Sequence, residues 1–178
     1  VIDPRDKWNA KYREGRRSPL HSTLVRFYHL APKGRALEIA CGTGENAFFL
    51  AKKGFKVEAF DISDVAIRIA RKRARREGLR LKLKSVDALK FSFPPNRYGL
   101  ILNFYFLERR VLPKIKRSLI SGGLLIFETY NEEHIAVNPD FNRNYLLKKG
   151  ELLDSFRDFE VLYYSEISNI TTLIARKP

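Results

Sequence analysis

Arg35-Ala-Leu-Glu-Ile-Ala-Cys-Gly-Thr-Gly-Glu-Asn-Ala-Phe-Phe-Leu-Ala51 is the stretch whose reading decides the fold. Its first half is short and apolar, the pattern of a parallel strand buried on both faces. Gly42-Thr43-Gly44 follows, where glycine lets the backbone turn sharply because it has no Cβ. The second half has helical spacing, with Ala47, Leu50 and Ala51 on one face and Gly54 placed to end the helix. A strand entering a helix through a glycine turn aims unpaired N–H groups, and the positive helix end, at whatever binds there. Such a motif is a nucleotide-type cofactor site.

Two cofactor classes compete for it. Gly42-x-Gly44-x-x-Ala47, with Asp61 placed 19 residues after Gly42, fits the dinucleotide pattern and its ribose-binding acid. The competitor is S-adenosylmethionine. Glu38 separates the two, because an acid inside an apolar strand is costly unless something ligates it. A dinucleotide fold has no use for an acid there. A cofactor ending in a methionine ammonium does, directly or through water.

Glu38-Ile-Ala-Cys-Gly-Thr-Gly44 resembles the first motif of class I S-adenosylmethionine-dependent methyltransferases, with Ala40 standing where many members have glycine. The chain further resembles, nearly end to end, the small methyltransferases grouped with tellurite-resistance and thiopurine-type enzymes. Trp8-Asn-Ala-Lys-Tyr12, Phe60-Asp-Ile-Ser63, Ser121-Gly-Gly-Leu-Leu125 and Glu128-Thr-Tyr130 carry that likeness. It implies one methyltransferase domain over 1–178, an α/β, Rossmann-like, doubly wound, mostly parallel seven-stranded sheet with helices on both faces. It also implies S-adenosylmethionine as cofactor, S-adenosylhomocysteine as its product, and N-terminal helices (1–34) lying over it. The cofactor-binding set is then Trp8, Tyr12, Glu38, Ala40, Cys41, Gly42, Gly44, Asn46, Asp61, Ile62, Asp87, Ala88, Asn103 and Tyr105. Within that set, Glu38 serves the methionine end, and Gly42 and Gly44 allow close backbone approach. Asp87 accepts from the adenine amino group while Ala88 covers the ring.

Some of these residues have plainer uses. Trp8 and Tyr12, spaced i, i+4, share a helix face and could simply staple that helix to the core. Asp61 falls at the carboxyl end of a strand over Phe55 to Phe60, where open α/β sheets bind ligands, so it is placed for a ribose. It could instead cap the next helix, although Ser63 can do that and leave Asp61 free. Asp87, on spacing alone, could be a turn acid.

The 178 residues suffice for one domain, and 44% apolar residues for a real core. No apolar run reaches the roughly 18 residues that a membrane span needs. Asp3, Arg5, Asp6 and Lys7 do not resemble the apolar core of a signal peptide. A single cysteine forbids an internal disulfide and suits a reducing cytoplasm. The net charge of +14 reads either as a polyanion-binding surface or as a thermophile's solubility. The 30% charged residues, with no Met and no Gln, favour the second. A nucleic-acid partner, gripped by the Arg68 to Lys84 stretch, is open to such a chain but not favoured.

Along the chain, Asp3 caps a helix to about Glu14 with Pro4 at its first position, and a second helix covers Leu20 to Leu30. A helix from Asp64 to Glu77 buries Val65, Ala66, Ile69, Ala70 and Ala74 and turns its arginines outward. Leu79 to Val86 reads as a strand, and Tyr98 to Leu107 as the central one. A helix over Arg109 to Ile120 turns at Ser121-Gly122-Gly123 into a strand from Leu124 to Thr129. Asn131 to Lys149 lacks periodicity but holds several aromatics, which reads as a substrate-covering lid (131–149). A short helix over Gly150 to Phe156 and strands at Phe159 to Ile167 and Asn169 to Ala175 close the domain.

The sulfonium of S-adenosylmethionine is an activated leaving group, so the enzyme's task is alignment and exclusion of water. A thiolate or a reduced chalcogen species needs no general base, whereas an amine or oxygen acceptor does. Tyr105, Glu128 and His134 are the candidate catalytic residues near the acceptor, which should be a small molecule. Cys41 sits inside the cofactor turn, where packing is its expected role. No Cys/His cluster has metal-ligand spacing, so no metal is expected.

Overall fold

The computed structural model describes residues 2–178. Seven strands form one sheet in the order β3-β2-β1-β4-β5-β7-β6. They are β1 (Arg35–Ile39), β2 (Lys56–Asp61), β3 (Lys82–Ser85), β4 (Tyr98–Phe104), β5 (Leu119–Tyr130), β6 (Glu160–Ile167) and β7 (Ile170–Arg176). The first five run parallel and β7 is antiparallel to both of its neighbours. The chain winds outward from β1 to β3, then returns to place β4 on the other side of β1. That reversal leaves a crevice at the carboxyl ends of β1 and β4.

Helices cover both faces. On one face α2 (Ser22–Phe27), α3 (Glu45–Lys52) and α4 (Asp64–Glu77) bury Leu24, Phe48, Leu50, Ile67 and Ala70 against Ala36, Leu100, Leu102 and Ile126. On the other, α5 (Leu112–Ser118) and α6 (Glu151–Ser155) bury Ile115, Leu152 and Phe156 against Leu37, Ile101, Leu125 and Phe127. Alternate residues of a strand feed opposite cores, so β4, buried along its whole length, reads as continuous apolar sequence. The doubly wound seven-stranded sheet anticipated from the sequence is the one formed. Among the described residues no helix is long and apolar enough to cross a membrane.

Element boundaries differ where side chains intervene. The second helix begins at Ser22 rather than Leu20, because the His21 amide donates to Asn46 Oδ1 at 3.0 Å and holds His21 extended. It passes into a 3-10 turn at Tyr28–Leu30, ahead of Pro32. β3 is shorter than Leu79 to Val86: the Leu79 amide still donates to Ala74 O across Gly78, closing α4 instead of joining the sheet. α5 is shorter than Arg109 to Ile120, since Leu119 already pairs with Tyr98 in the sheet. The anticipated turn at Ser121–Gly123 is a bulge inside β5, with Gly122 at φ 77.

The N-terminal helix α1 (Pro4–Arg13) is capped by the Asp3 carboxylate, which accepts from the Arg5 amide at 2.7 Å. Asn9 docks it on the start of α4. Its amide donates to Asp64 Oδ1 at 2.7 Å, and its carbonyl accepts from the Ser63 hydroxyl at 2.6 Å.

Ala40 holds φ 52 immediately after β1, a left-handed conformation that costs an L-residue about 1–2 kcal/mol. Glycine relieves that strain while adding about 0.5–1 kcal/mol of chain entropy to lose on folding. Ala40→Gly should therefore leave urea stability unchanged or raise it by up to about 1 kcal/mol, the reverse of a usual strand-end alanine-to-glycine change.

Candidate active site

The glycine turn is shaped by left-handed residues, Ala40, Gly42 and Gly44, the last being the residue that leads into α3. Asp61 binds this turn to the next one. One carboxylate oxygen accepts from the Gly42 amide and the other from the Ser63 amide, each at 2.8 Å. Burial raises the Asp61 carboxyl above its ordinary value, against the pull of the Ser63 and Gly42 amides. Ser63 does cap α4, accepting from the Ala66 amide at 3.0 Å. That does not leave Asp61 free, which corrects the simpler reading, although each oxygen retains a second lone pair.

Close approach at Gly42 is realised by the chain itself. A Cβ there would stand 2.0 Å from Ser18 Oγ and 2.4 Å from the Tyr12 hydroxyl. Ser18 and Thr43 exchange hydrogen bonds, amide to hydroxyl in each direction, at 2.9 and 3.1 Å. Tyr12 is buried against Val65 and Ala66, with Trp8 packed partly buried beside it. Burial pushes the Tyr12 hydroxyl up to about 12. The Trp8/Tyr12 pair thus staples α1, and Tyr12 overlies the glycine turn. Cys41 is buried, its thiol facing the Gly42 carbonyl, and burial raises it well above a reactive thiol.

Glu38 lies on β1, 4% exposed, with Oε1 accepting from the Asn46 amide at 2.9 Å. Its other oxygen, Oε2, is buried with no hydrogen-bond partner. Burial pushes the carboxyl up to about 8, opposed by the Asn46 side chain and the Ala47 amide. Asn46 also reaches His21, its amide nitrogen 2.9 Å from Nδ1. His21 in turn stacks on Phe104, ring centroids 4.1 Å apart, and burial lowers it towards the neutral form. A buried polar relay therefore joins Glu38 to the end of β4. A cationic amine at Glu38 Oε2 would satisfy an atom that has no protein donor, so the residues present fit the methionine end of the expected cofactor.

Across β4, Tyr105 donates its hydroxyl to Glu128 Oε1 at 3.1 Å while its backbone is left-handed at φ 51. Glu128 Oε2 accepts from Thr23 at 2.6 Å and Thr172 at 2.9 Å. Asn103 is buried, donating to the Phe106 carbonyl at 2.7 Å, and shapes the turn that presents Tyr105. Burial first, and Glu128 second, raise the Tyr105 hydroxyl. Tyr105 and Glu128 thus come together at this end of the sheet. His134 stands one ring further out, stacked on Tyr130 at 3.9 Å with Asn169 donating to Nδ1 at 2.7 Å.

At the other end of the crevice Ile62 is half-buried after β2. Asp87 Oδ1 accepts from the Leu89 amide at 2.8 Å, which makes it a turn acid with one oxygen left over. Ala88 is buried in the core with Phe91 and Phe93, so its methyl is packed inward rather than offered as a cover. The 131–149 segment carries 3-10 turns at Glu132–Ala136 and Arg143–Tyr145, and Asn131 bridges to Leu147 across its neck. Asn9, Ser18, Thr23 and His21 were not singled out from the sequence as site residues. Each is a short polar or imidazole side chain whose partner lies far along the chain.

Residues 36–123 match the methyltransferase domain family. TehB of Haemophilus influenzae, whose name describes S-adenosyl-L-methionine-dependent methyl transfer, is 22% identical over 90% of this chain and 57% of its own length. The demethylmenaquinone methyltransferase of Thermus thermophilus is 33% identical over 54% of this chain and 46% of its own. The ubiquinone biosynthesis O-methyltransferase of Coxiella burnetii is 28% identical over 94% and 78%. The crystal structure of the Haemophilus TehB superposes with a TM-score of 0.80 at 18% identity, covering 98% of this chain and 67% of that one. This chain therefore spans little more than half the length of the first of these relatives.

A carboxyl whose folded value, about 8, lies above its ordinary 4.5 binds its proton more tightly folded than unfolded. Its contribution is fully present below the ordinary value and is lost as pH rises through the folded one. Between the two, the wild type should lose stability by up to about 1.4 kcal/mol per pH unit relative to Glu38→Gln. Urea unfolding of both proteins at pH 5.5, 6.5 and 7.5, without ligand, measures that difference directly.

Proposed function

We propose that this chain carries a class I S-adenosylmethionine-dependent methyltransferase domain and that it transfers the methyl group to a small-molecule soft nucleophile, a thiol or a reduced chalcogen species. The observation that carries the cofactor reading is Glu38 Oε2, a buried carboxylate oxygen with no partner beside the glycine turn. When bound, S-adenosylmethionine supplies an electrophilic methyl on a sulfonium. Glu38 holds the methionine ammonium and Asp61 the ribose hydroxyls, through the lone pairs its two backbone amides leave over. Asp87 Oδ2 faces the adenine amino group. Trp8, Tyr12 and the rest of 1–34 close over the cofactor, and 131–149 covers the acceptor.

The wall beyond the methyl supports a soft acceptor. His21, Phe104, Tyr105, Tyr130 and His134 form a chain of touching rings. Tyr105 and both histidines in it are engaged: Tyr105 with Glu128, His21 Nδ1 with Asn46, His134 Nδ1 with Asn169. A thiolate needs none of them, only a dry and oriented approach in line with the methyl. Asn103 and the left-handed Tyr105 fix where the wall stands. A reducing cytoplasm keeps such an acceptor in its thiol form, consistent with the lone buried Cys41. A chain of this charge, without Met or Gln, suits a hot habitat.

Calorimetric titration tests the cofactor reading. S-adenosylmethionine and S-adenosylhomocysteine should bind and NADH should not, with Glu38→Gln weakening both adenosyl ligands about tenfold or more, ~1.4 kcal/mol. Binding of NADH alone would overturn the assignment. With a small aryl thiol as the acceptor probe, the rate should follow the thiolate fraction with pH, and Tyr105→Phe should change kcat by less than about tenfold. A loss of about 100-fold or more would instead mark general-base catalysis.

A further inference from the structure

At the edge of the sheet opposite the glycine turn, the strands begin with cations. β1 opens on Arg35, β2 on Lys56 and β3 on Lys82, and Arg97 stands immediately before β4. With Arg80 they rim a cleft of about 450 Å³ walled by Phe55 and Tyr98. These residues come from four separate parts of the chain, and the parallel sheet alone assembles them. Arg35 lies in register beside Lys56 on the next strand, and neighbouring strands are only about 4.8 Å apart. Like charges so placed destabilise the fold by themselves.

One carboxylate serves only part of the row. Glu58 accepts from the Tyr98 hydroxyl at 2.7 Å and from Lys84 at 3.2 Å, with Lys82 at 3.8 Å and Arg97 at 3.9 Å. Among the described residues Arg35, Lys56 and Arg80 have no ion-pair partner. Arg97 Nε is buried without a hydrogen bond. The charge continues outward through exposed Arg75 and Arg76 at the end of α4, which lead through Gly78 to Arg80. The part of α4 that looked basic in sequence is less available: Arg68 is paired with Asp64, and Arg73 with Glu45 and Glu77.

We propose that this cleft is a phosphate-binding site that docks the backbone of a nucleic acid, on the opposite edge of the sheet from methyl transfer. A row four strands wide spans about 14 Å, which suits successive phosphates and is too long for one phosphate to neutralise. No exposed aromatic side chain lines the cleft, since Phe55 and Tyr98 are both buried. Contact is therefore to the backbone and tolerant of sequence, without the base stacking that single-strand readers use. Counterion release from the phosphates supplies the affinity.

The test is fluorescence anisotropy of a labelled, mixed-sequence single-stranded RNA of about 20 nucleotides, titrated across a range of salt. Lys56→Ala/Arg80→Ala/Lys82→Ala should bind at least about tenfold more weakly and lose about 2 from the log–log salt slope, at ~0.7 per phosphate contact. Lys90→Ala/Arg143→Ala/Arg157→Ala, which removes the same charge from other exposed positions, should keep the wild-type slope. Equal losses in the two variants would reduce the effect to net charge and overturn the site, as would absence of RNA binding at low salt. Inorganic tripolyphosphate is the competing probe: if it occupies the cleft and RNA does not displace it, the nucleic-acid assignment falls. Thermal melting of both variants confirms that each is folded, and none of these readouts depends on methyl transfer.

Discussion

Everything at the carboxyl edge of the sheet hangs on one carboxylate. Asp61 ends β2 and accepts two backbone amides, Gly42 from the first turn and Ser63 from the second. Without it, two crossover connections would meet with unpaired N–H groups facing each other in a buried site, where each lost bond costs about 1–3 kcal/mol. Ser63, so fixed, donates to Asn9 and docks α1. α1 then sets Tyr12 and the segment to Ser18 over Gly42, where only a glycine fits. Ser18 and Thr43 close that contact, and His21 and Thr23 carry the same segment on to Asn46 and Glu128. The N-terminal segment is thereby fastened to the turns after β1 and β2 and to β5 itself.

Charge is sorted across the sheet. Glu38, Asp61 and Glu128 are buried at the carboxyl edge, and among the described residues none has a lysine or arginine within ion-pair distance. They are held by amides and hydroxyls instead, with Glu38 Oε2 left without a partner. In a chain of net charge +14 this is a marked separation, since the strand starts at the opposite edge carry a row of cations. Buried acids held by neutral donors keep an attraction for a cation that ion-paired acids have already used. S-adenosylmethionine brings two positive centres, an ammonium and a sulfonium. The same separation leaves the opposite edge attractive to anions.

Legibility from the sequence followed the range of the interaction. The glycine turn, the strand before it, the helix after it and Asp61 at the end of β2 are local patterns, and each formed where its spacing placed it. Glu38 stood out because an acid in an apolar strand is anomalous whatever surrounds it. Asn9 and Thr23 carried no such mark. Their partners, Asp64 and Glu128, lie 55 and 105 residues away, and an asparagine or threonine on a helix looks the same with or without them. The shortened second helix has the same cause: Asn46 claims the His21 amide across 25 residues, and no local propensity encodes that.

The sequence by itself determined the α/β alternation, the parallel core strands, the glycine turn and the acids near the ends of β1 and β2. Hydrophobic period and glycine conformational freedom act within a few residues. Only the tertiary structure decided that Asp61 is engaged by two amides and that Asp87 completes a turn. It also decided that Tyr12 covers Gly42, and that Arg35, Lys56, Lys82 and Arg97 gather at one edge of the sheet. A parallel sheet aligns residues from distant segments at one edge, with partners set by strand order and register. Neither can be read from any single stretch of chain, because both arise from which strands come to lie next to one another.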